Sequence, residues 1–262
     1  MDLGLSGKSA IVTGASRGIG LAVTRALLAE GASVVAVSKN GSAELKALED
    51  GGRVRAVTAD LTDPHQPPGV VTAALDLFGR LDVLVNNVGA VRPRLGGFLS
   101  VTDDDWTTTM TINLLSAVRM TRAALPALLA GDAGSIVTVS SVNAALPDPL
   151  VIDYSAAKAA LTSFCKSLSK EVGPAGVRVN TVSPGPVATD LWLGDGGVAA
   201  AVASATGGRP EAVAERAASD AVTGRFTRPE EVADLVTFLA GARATNITGA
   251  DFTIDGGLIS TL

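Results

Sequence analysis

The stretch Ser9-Ala10-Ile11-Val12-Thr13-Gly14-Ala15-Ser16-Arg17-Gly18-Ile19-Gly20 decides the fold class. Its first five residues form a short β-branched, apolar run that reads as a strand. Three glycines then mark a turn, and Ile19 to Glu30 reads as a helix closed by Gly31. Gly14 permits the tight turn, Gly18 lets a phosphate approach the backbone, and Gly20 lets helix and strand pack closely. The helix start would offer free N–H groups and a partial positive charge to a pyrophosphate. A glycine turn of purely structural use contains the same residues. The strand–turn–helix setting favours the nucleotide.

The pattern repeats outward along the chain. Val34–Val37, Val54–Thr58, Leu81–Val85, Ser135–Val139 and Val177–Val182 are short apolar runs, and Ala250–Ile254 is a last one. Longer amphipathic stretches separate them. Near-continuous apolar strands between helices predict a doubly wound, Rossmann-like parallel sheet of about seven strands, with helices on both faces in three α/β/α layers. No linker or repeat divides the chain, so a single domain is expected over residues 1–262. The stretch from Pro186 to Arg228 is rich in Ala and Gly and carries Trp192 near its start. It is expected to lie outside the sheet, overhanging the strand ends where such sheets bind ligands.

Composition excludes several functions. A net charge of −5 over 262 residues, with no block of like charge, leaves no footprint for nucleic acid or an anionic membrane. Mean hydropathy is positive, but Ala and Val spread along the chain explain it. No apolar run approaches the ~20 residues of a membrane span. Met1-Asp2-Leu3-Gly4-Leu5-Ser6-Gly7-Lys8 lacks a signal-peptide pattern. The lone Cys165 cannot form an internal disulfide, which suits a reducing cytoplasm. One His and one Cys argue against a metal site. His65, among Asp63, Pro64, Pro67 and Pro68, reads as an exposed loop residue.

The glycine spacing is T-G-x-x-x-G-x-G, which resembles the short-chain dehydrogenase/reductase family. The resemblance holds from about Leu5 to Gly257. Asn86-Asn87-Val88-Gly89 resembles the family's N-N-A-G, with Val88 in place of Ala. Ser141 precedes Tyr154-Ser155-Ala156-Ala157-Lys158 at the family's spacing for its Ser and Y-x-x-x-K. Asn113 matches its catalytic Asn, Pro184 to Thr189 its P-G-x-x-x-T, and Thr248-Gly249 with Asp255-Gly256-Gly257 its last signature. The order and number of these matches make the resemblance specific.

It implies a catalytic set of Asn113, Ser141, Tyr154 and Lys158. Tyr154 and Lys158 are i and i+4, on one helix face. A phenol near ~10 is a poor base at neutral pH; a nearby ammonium is expected to favour its phenolate. Tyr154 would then exchange the proton, Ser141 would bind the carbonyl oxygen, and Lys158 would hold the nicotinamide ribose. Asn113 would support a water-linked relay. The implied cofactor contacts are Gly14, Ser16, Arg17, Gly18, Ile19, Asp60, Leu61, Asn87, Gly89, Tyr154, Lys158, Pro184, Gly185, Val187 and Thr189.

Cofactor choice rests on the end of the second strand. NAD-binding relatives place an acid there; this chain has Ser38 and then Lys39. With Arg17 they form a set suited to a 2′-phosphate, so NADP(H) is expected over NAD(H). As solvated surface charges, Arg17 and Lys39 would say nothing.

The resemblance implies hydride transfer between NADP(H) and a small alcohol or carbonyl compound. Val91 to Pro93, Asn143 to Ile152 and Leu191 to Leu193 are candidate walls, with Asn143, Leu146 and Trp192 as binding residues. Leu146, Pro147, Pro149, Leu150 and Val151 predict a mostly apolar pocket. Trp192 serves equally well as a packing anchor. Arg92 and Arg94 are either anion-binding residues or rim charges. A non-catalytic NADP sensor, and a dehydratase or epimerase, are the rival readings. The resemblance also implies a homotetramer or homodimer. Helices at Asp104–Leu125 and Tyr154–Val172 would pair, with Ala157, Ala160 and Ser163 permitting close approach.

Overall fold

The computed structural model describes residues 1–261. Seven strands form one sheet: β1 (Ser9–Thr13), β2 (Ser33–Ser38), β3 (Val54–Thr58), β4 (Val83–Asn86), β5 (Gly134–Val139), β6 (Val177–Pro184) and β7 (Asp251–Ile254). All pairings are parallel, in the order β3-β2-β1-β4-β5-β6-β7. The order reverses between β1 and β4, which places the ligand crevice beyond the carboxyl ends of those two strands.

Ten α-helices accompany the sheet among the described residues: α1 (Gly18–Ala29), α2 (Ala43–Leu48), α3 (Gln66–Phe78), α4 (Asp103–Met110), α5 (Ser116–Leu129), α6 (Ile152–Val172), α7 (Asp190–Leu193), α8 (Val198–Thr206), α9 (Pro210–Ser219) and α10 (Pro229–Ala240). Alternation along each strand divides the core in two. Ala10 and Val12 of β1 pack with Leu27 of α1 and Val236 of α10 on one face. Ile11, between them, packs with Val70 of α3, Met120 of α5 and Leu161 of α6 on the other.

Element ends differ from expectation for local reasons. β4 begins at Val83 because Asp82 is used at the strand's entrance, where its carboxylate accepts from Ser9 N, Lys8 and Arg80. The helix expected over 104–125 runs on to Leu129, past Pro126, and contains a π-helical turn at Thr111–Leu115. His65 is exposed, as expected, and sits at the N-cap of α3. Ala157, expected on a helix–helix interface between subunits, is instead wholly buried in the chain's own core. The stretch after Pro186 carries α7, α8 and α9.

Candidate active site

Beyond the carboxyl ends of the strands lies a cavity of about 710 Å³. It runs from Ser38 and Lys39, past the glycine loop, to Ser141 and Tyr154. Every cofactor contact named above borders it, as do Ser141, Asn143, Leu146 and Trp192; Asn113 does not.

The glycine loop is assembled by contacts with β4 and the segment after β6. Asn87 Nδ2 donates to Thr13 O (3.0 Å) and Gly14 O (3.3 Å), and Asn87 N donates to Thr13 Oγ1 (2.9 Å). Gly18 has φ +53°, and a Cβ there would lie 3.1 Å from the Thr189 methyl. No side chain caps α1, and its first turn holds no acidic residue. Its leading N–H groups and dipole are therefore left to an anion. That is the feature a dinucleotide pyrophosphate requires, and the residues present fit one.

At the far end, Ser38 is buried and its Oγ accepts from Gly41 N (3.1 Å), so its hydroxyl proton remains available to donate. Lys39 Nζ lies 2.8 Å from Asp60 Oδ2. The Lys39 hydrogen bond is the main reason the Asp60 carboxyl is lowered to about 2. Two of the expected cofactor residues, Lys39 at the 2′-phosphate and Asp60, thus face each other directly. Arg17 Nη1 stands 3.9 Å from Asp190 Oδ2, joining the glycine loop to α7.

The chemical end is built by β5 and α6. Ser141 follows β5, and its Oγ donates to Asn143 Oδ1 and accepts from Asn143 N, both at 3.2 Å. Tyr154 lies in the first turn of α6. Burial pushes its hydroxyl above the ordinary tyrosine range, and the adjacent Ser141 hydroxyl works the other way. Lys158 Nζ donates to Val139 O (2.9 Å) and lies 5.7 Å from the Tyr154 ring centroid. Burial lowers Lys158 to about 8. Desolvation is the largest influence on both groups, and it favours the neutral phenol and the neutral amine. Asn113 is wholly buried in the π turn, with Oδ1 accepting from Ala90 N (3.0 Å) and Nδ2 donating to Ala90 O (2.9 Å). A Cβ on Gly89 would meet Asn113 Oδ1 at 3.0 Å and Lys158 Nζ at 3.4 Å, so only a backbone separates those side chains.

Lys158 carries a stability consequence. Its folded pKa, about 8, lies below the ordinary 10.5. Between those values the unfolded chain holds more protons, so stability rises with pH there; below about 8 the burial penalty is fully present. Lys158→Met should therefore raise the Tm of the cofactor-free protein by several degrees at pH 7, with the gain fading toward pH 10. Differential scanning fluorimetry across pH measures this.

The substrate side needs two corrections. Arg94 does not reach the cavity: it is drawn into ion pairs with Asp153 and Asp105. Arg92, Pro93, Ala144, Ala145, Ile152 and Leu193 also lie outside its wall. Trp192 does both things weighed for it, bordering the cavity and packing edge-on against Phe226 with centroids 5.4 Å apart. Ala217, Asp220 and Leu258 also border the cavity, and no motif marked them.

The comparisons agree with this geometry. A family profile described as Enoyl-(Acyl carrier protein) reductase matches residues 14–259. The 3-oxoacyl-[acyl-carrier-protein] reductase FabG of Thermotoga maritima is 35% identical over 259 residues, covering 97% of this chain and 99% of that protein. Oxidoreductase UcpA of Escherichia coli is 36% identical over 260 residues, covering 97% and 95%. Among solved structures, L-sorbose reductase from Gluconobacter frateurii, complexed with NADPH and L-sorbose, aligns over 100% of both chains with TM-score 0.91 and 33% identity. Ligand-free aldohexose dehydrogenase from Thermoplasma acidophilum aligns with TM-score 0.87 and 30% identity over 98% of this chain and 96% of that one. With its seven-stranded parallel sheet, its glycine loop and its Ser141, Tyr154 and Lys158 around one cavity, the chain belongs to the short-chain dehydrogenase/reductase family.

Proposed function

We propose that this chain is an NADP(H)-dependent oxidoreductase that interconverts a secondary alcohol and a ketone or aldehyde, with Tyr154 as general acid/base. The observation that carries the reading is the single cavity joining Ser38 and Lys39 to Ser141 and Tyr154 through the glycine loop. NADPH, when bound, supplies the hydride. Tyr154 Oη donates its proton to the carbonyl oxygen as negative charge develops there, and Ser141 Oγ hydrogen-bonds that oxygen. Lys158 holds the ribose, and Asn113 fixes the backbone at Ala90 beside it. The Lys39–Asp60 pair opens so that the ammonium meets the 2′-phosphate while Ser38 donates to it.

The substrates named for the relatives, 3-oxoacyl-[acyl-carrier-protein] and L-sorbose, differ chemically. The cavity is bordered by the apolar Leu146, Pro147, Leu150, Trp192 and Leu258, together with Asn143, Asp148, Asp190 and Asp220. The apolar side chains suit an apolar substituent and the carboxylates repel an anionic one, which supports an uncharged carbonyl with an apolar substituent. We also propose one catalytic domain with the 186–228 segment as its lid, a cytoplasmic location, and a homotetramer or homodimer. No helix among the described residues is long and apolar enough to cross a membrane.

The test is a panel of carbonyl compounds assayed with NADPH and NADH. The expected result is a higher kcat/KM with NADPH, and turnover of apolar ketones ahead of polyol ketones and keto acids. Ser38→Asp should cut the NADPH preference by about 100-fold, equivalent to two lost charge-assisted contacts. An NADH preference refutes the cofactor assignment. Tight NADPH binding without turnover across the panel would favour the sensor instead.

A further inference from the structure

A buried ionic cluster lies behind the site, outside the cavity wall. Asp153 immediately precedes Tyr154 and is 1% exposed. Its Oδ2 accepts from Arg94 Nε (3.1 Å), from Arg94 Nη2 and from Thr109 Oγ1 (2.7 Å). Arg94 Nη1 also donates to Asp105 Oδ1 (2.8 Å), and Arg94 N to Leu150 O (2.6 Å). Thr109 O accepts from Asn113 Nδ2 (3.1 Å). One carboxylate therefore joins the first turn of α6, which carries Tyr154, to the end of α4, which anchors Asn113.

We propose that Asp153, clamped by Arg94 and Thr109, is a positioning residue that sets Tyr154 and Asn113 in register with each other. Apolar side chains would hold α4 against α6 without the cost of burying charge. What they lack is direction. The planar guanidinium fork grips one carboxylate oxygen with two donors, and Thr109 adds a third, so the rotation and height of α6's first turn are fixed. A turn free to shift by about 1 Å would move the phenol out of line with the reacting oxygen, at a cost of about 100-fold in rate. Arg94, Thr109 and Asp153 do not border the cavity, so they act through Tyr154 and Asn113.

The proposal rests on the catalytic role given to Tyr154 above, and the experiment separates the two. Asp153→Asn, Thr109→Val, Tyr154→Phe and Asp82→Asn are each characterised by kcat, NADPH affinity, the pH profile of kcat and Tm. Asp82 is the control: it too is a buried carboxylate held by Arg80 and Lys8, but at the amino ends of the central strands, away from the cavity. The expected result is a kcat about 100-fold lower in D153N and about tenfold lower in T109V. NADPH affinity is unchanged in both, and the pH profile is displaced as the phenol loses its alignment. D82N loses Tm and keeps its kcat. Valine has the shape of threonine, so T109V decides the matter if D153N fails to fold. If both variants lose Tm but keep wild-type kcat and pH profile while Y154F is inactive, the cluster is only structural and the proposal is overturned. If Y154F itself turns over, the active-site reading fails first.

Discussion

Tyr154→Phe should lower kcat by about 10³-fold while NADPH affinity and Tm stay close to wild type. The asymmetry follows from where the phenol stands. It is the sequence's one tyrosine, half-buried at the start of α6, beside Ser141. Phenylalanine preserves the ring and its packing, so the first turn of α6 keeps its place and only the proton is lost. Burial holds that proton on, and Lys158 stands 5.7 Å from the ring centroid with its own charge disfavoured by desolvation. In this state Tyr154 is an acid ready to protonate the oxygen of a carbonyl being reduced. In the oxidative direction it must first become a phenolate, and positive charge beside it then matters. Single-turnover kinetics with NADPH in excess, together with a fluorescence titration of NADPH, measure the two quantities separately. A Y154F variant that retains a tenth of wild-type kcat would remove Tyr154 from the mechanism.

Some of this arrangement was legible in the sequence. The strands were, because a parallel sheet covered on both faces demands unbroken apolar runs. The glycine loop was, because all its determinants fall within eight residues. Tyr154 and Lys158 were, because i and i+4 share a helix face. The residues that escaped are those whose meaning is non-local. Arg94 looks like a ligand for an anion until the chain folds and brings Asp153, 59 residues away, against it. Asn113 was placed in a regular helix, but the π turn that turns it toward Ala90 inserts a residue that a 3.6-residue period does not register. Ala157 falls on the inner side of α6, where the spacing of small residues alone does not distinguish a core from an interface. Ala217, Asp220 and Leu258 reach the cavity from the segment after β6 and from beyond β7, and only the course of those segments brings them there.

Gly20→Ala should be the most damaging change of its size, lowering NADPH affinity by about 100-fold or more. Alanine is the better helix former by about 1 kcal/mol, and Gly20 lies inside α1, so propensity alone favours the substitution. Space opposes it. A Cβ at Gly20 would lie 2.2 Å from Gly14 O, 2.7 Å from Gly14 C and 2.6 Å from Asn87 Nδ2. None of these is the loose end of a flexible side chain. Gly14 is backbone at φ +67°, and Asn87 Nδ2 is tied to Thr13 O and Gly14 O. The loop must move by about 1 Å or more to reach ordinary contact, at a cost of about 1–3 kcal/mol in overpacking. That displacement opens the turn that aims α1's N–H groups, and two misdirected charge-assisted hydrogen bonds account for about 3 kcal/mol of binding. Gly69→Ala separates the two effects. Gly69 lies in α3 with ordinary φ, and its Cβ would meet nothing within 4 Å. There the propensity term acts unopposed, so G69A should raise Tm slightly and leave NADPH binding untouched. Isothermal titration of NADPH into both variants checks the contrast. If G20A binds NADPH as tightly as G69A does, the close approach of Gly20 to Gly14 is not what shapes the phosphate site.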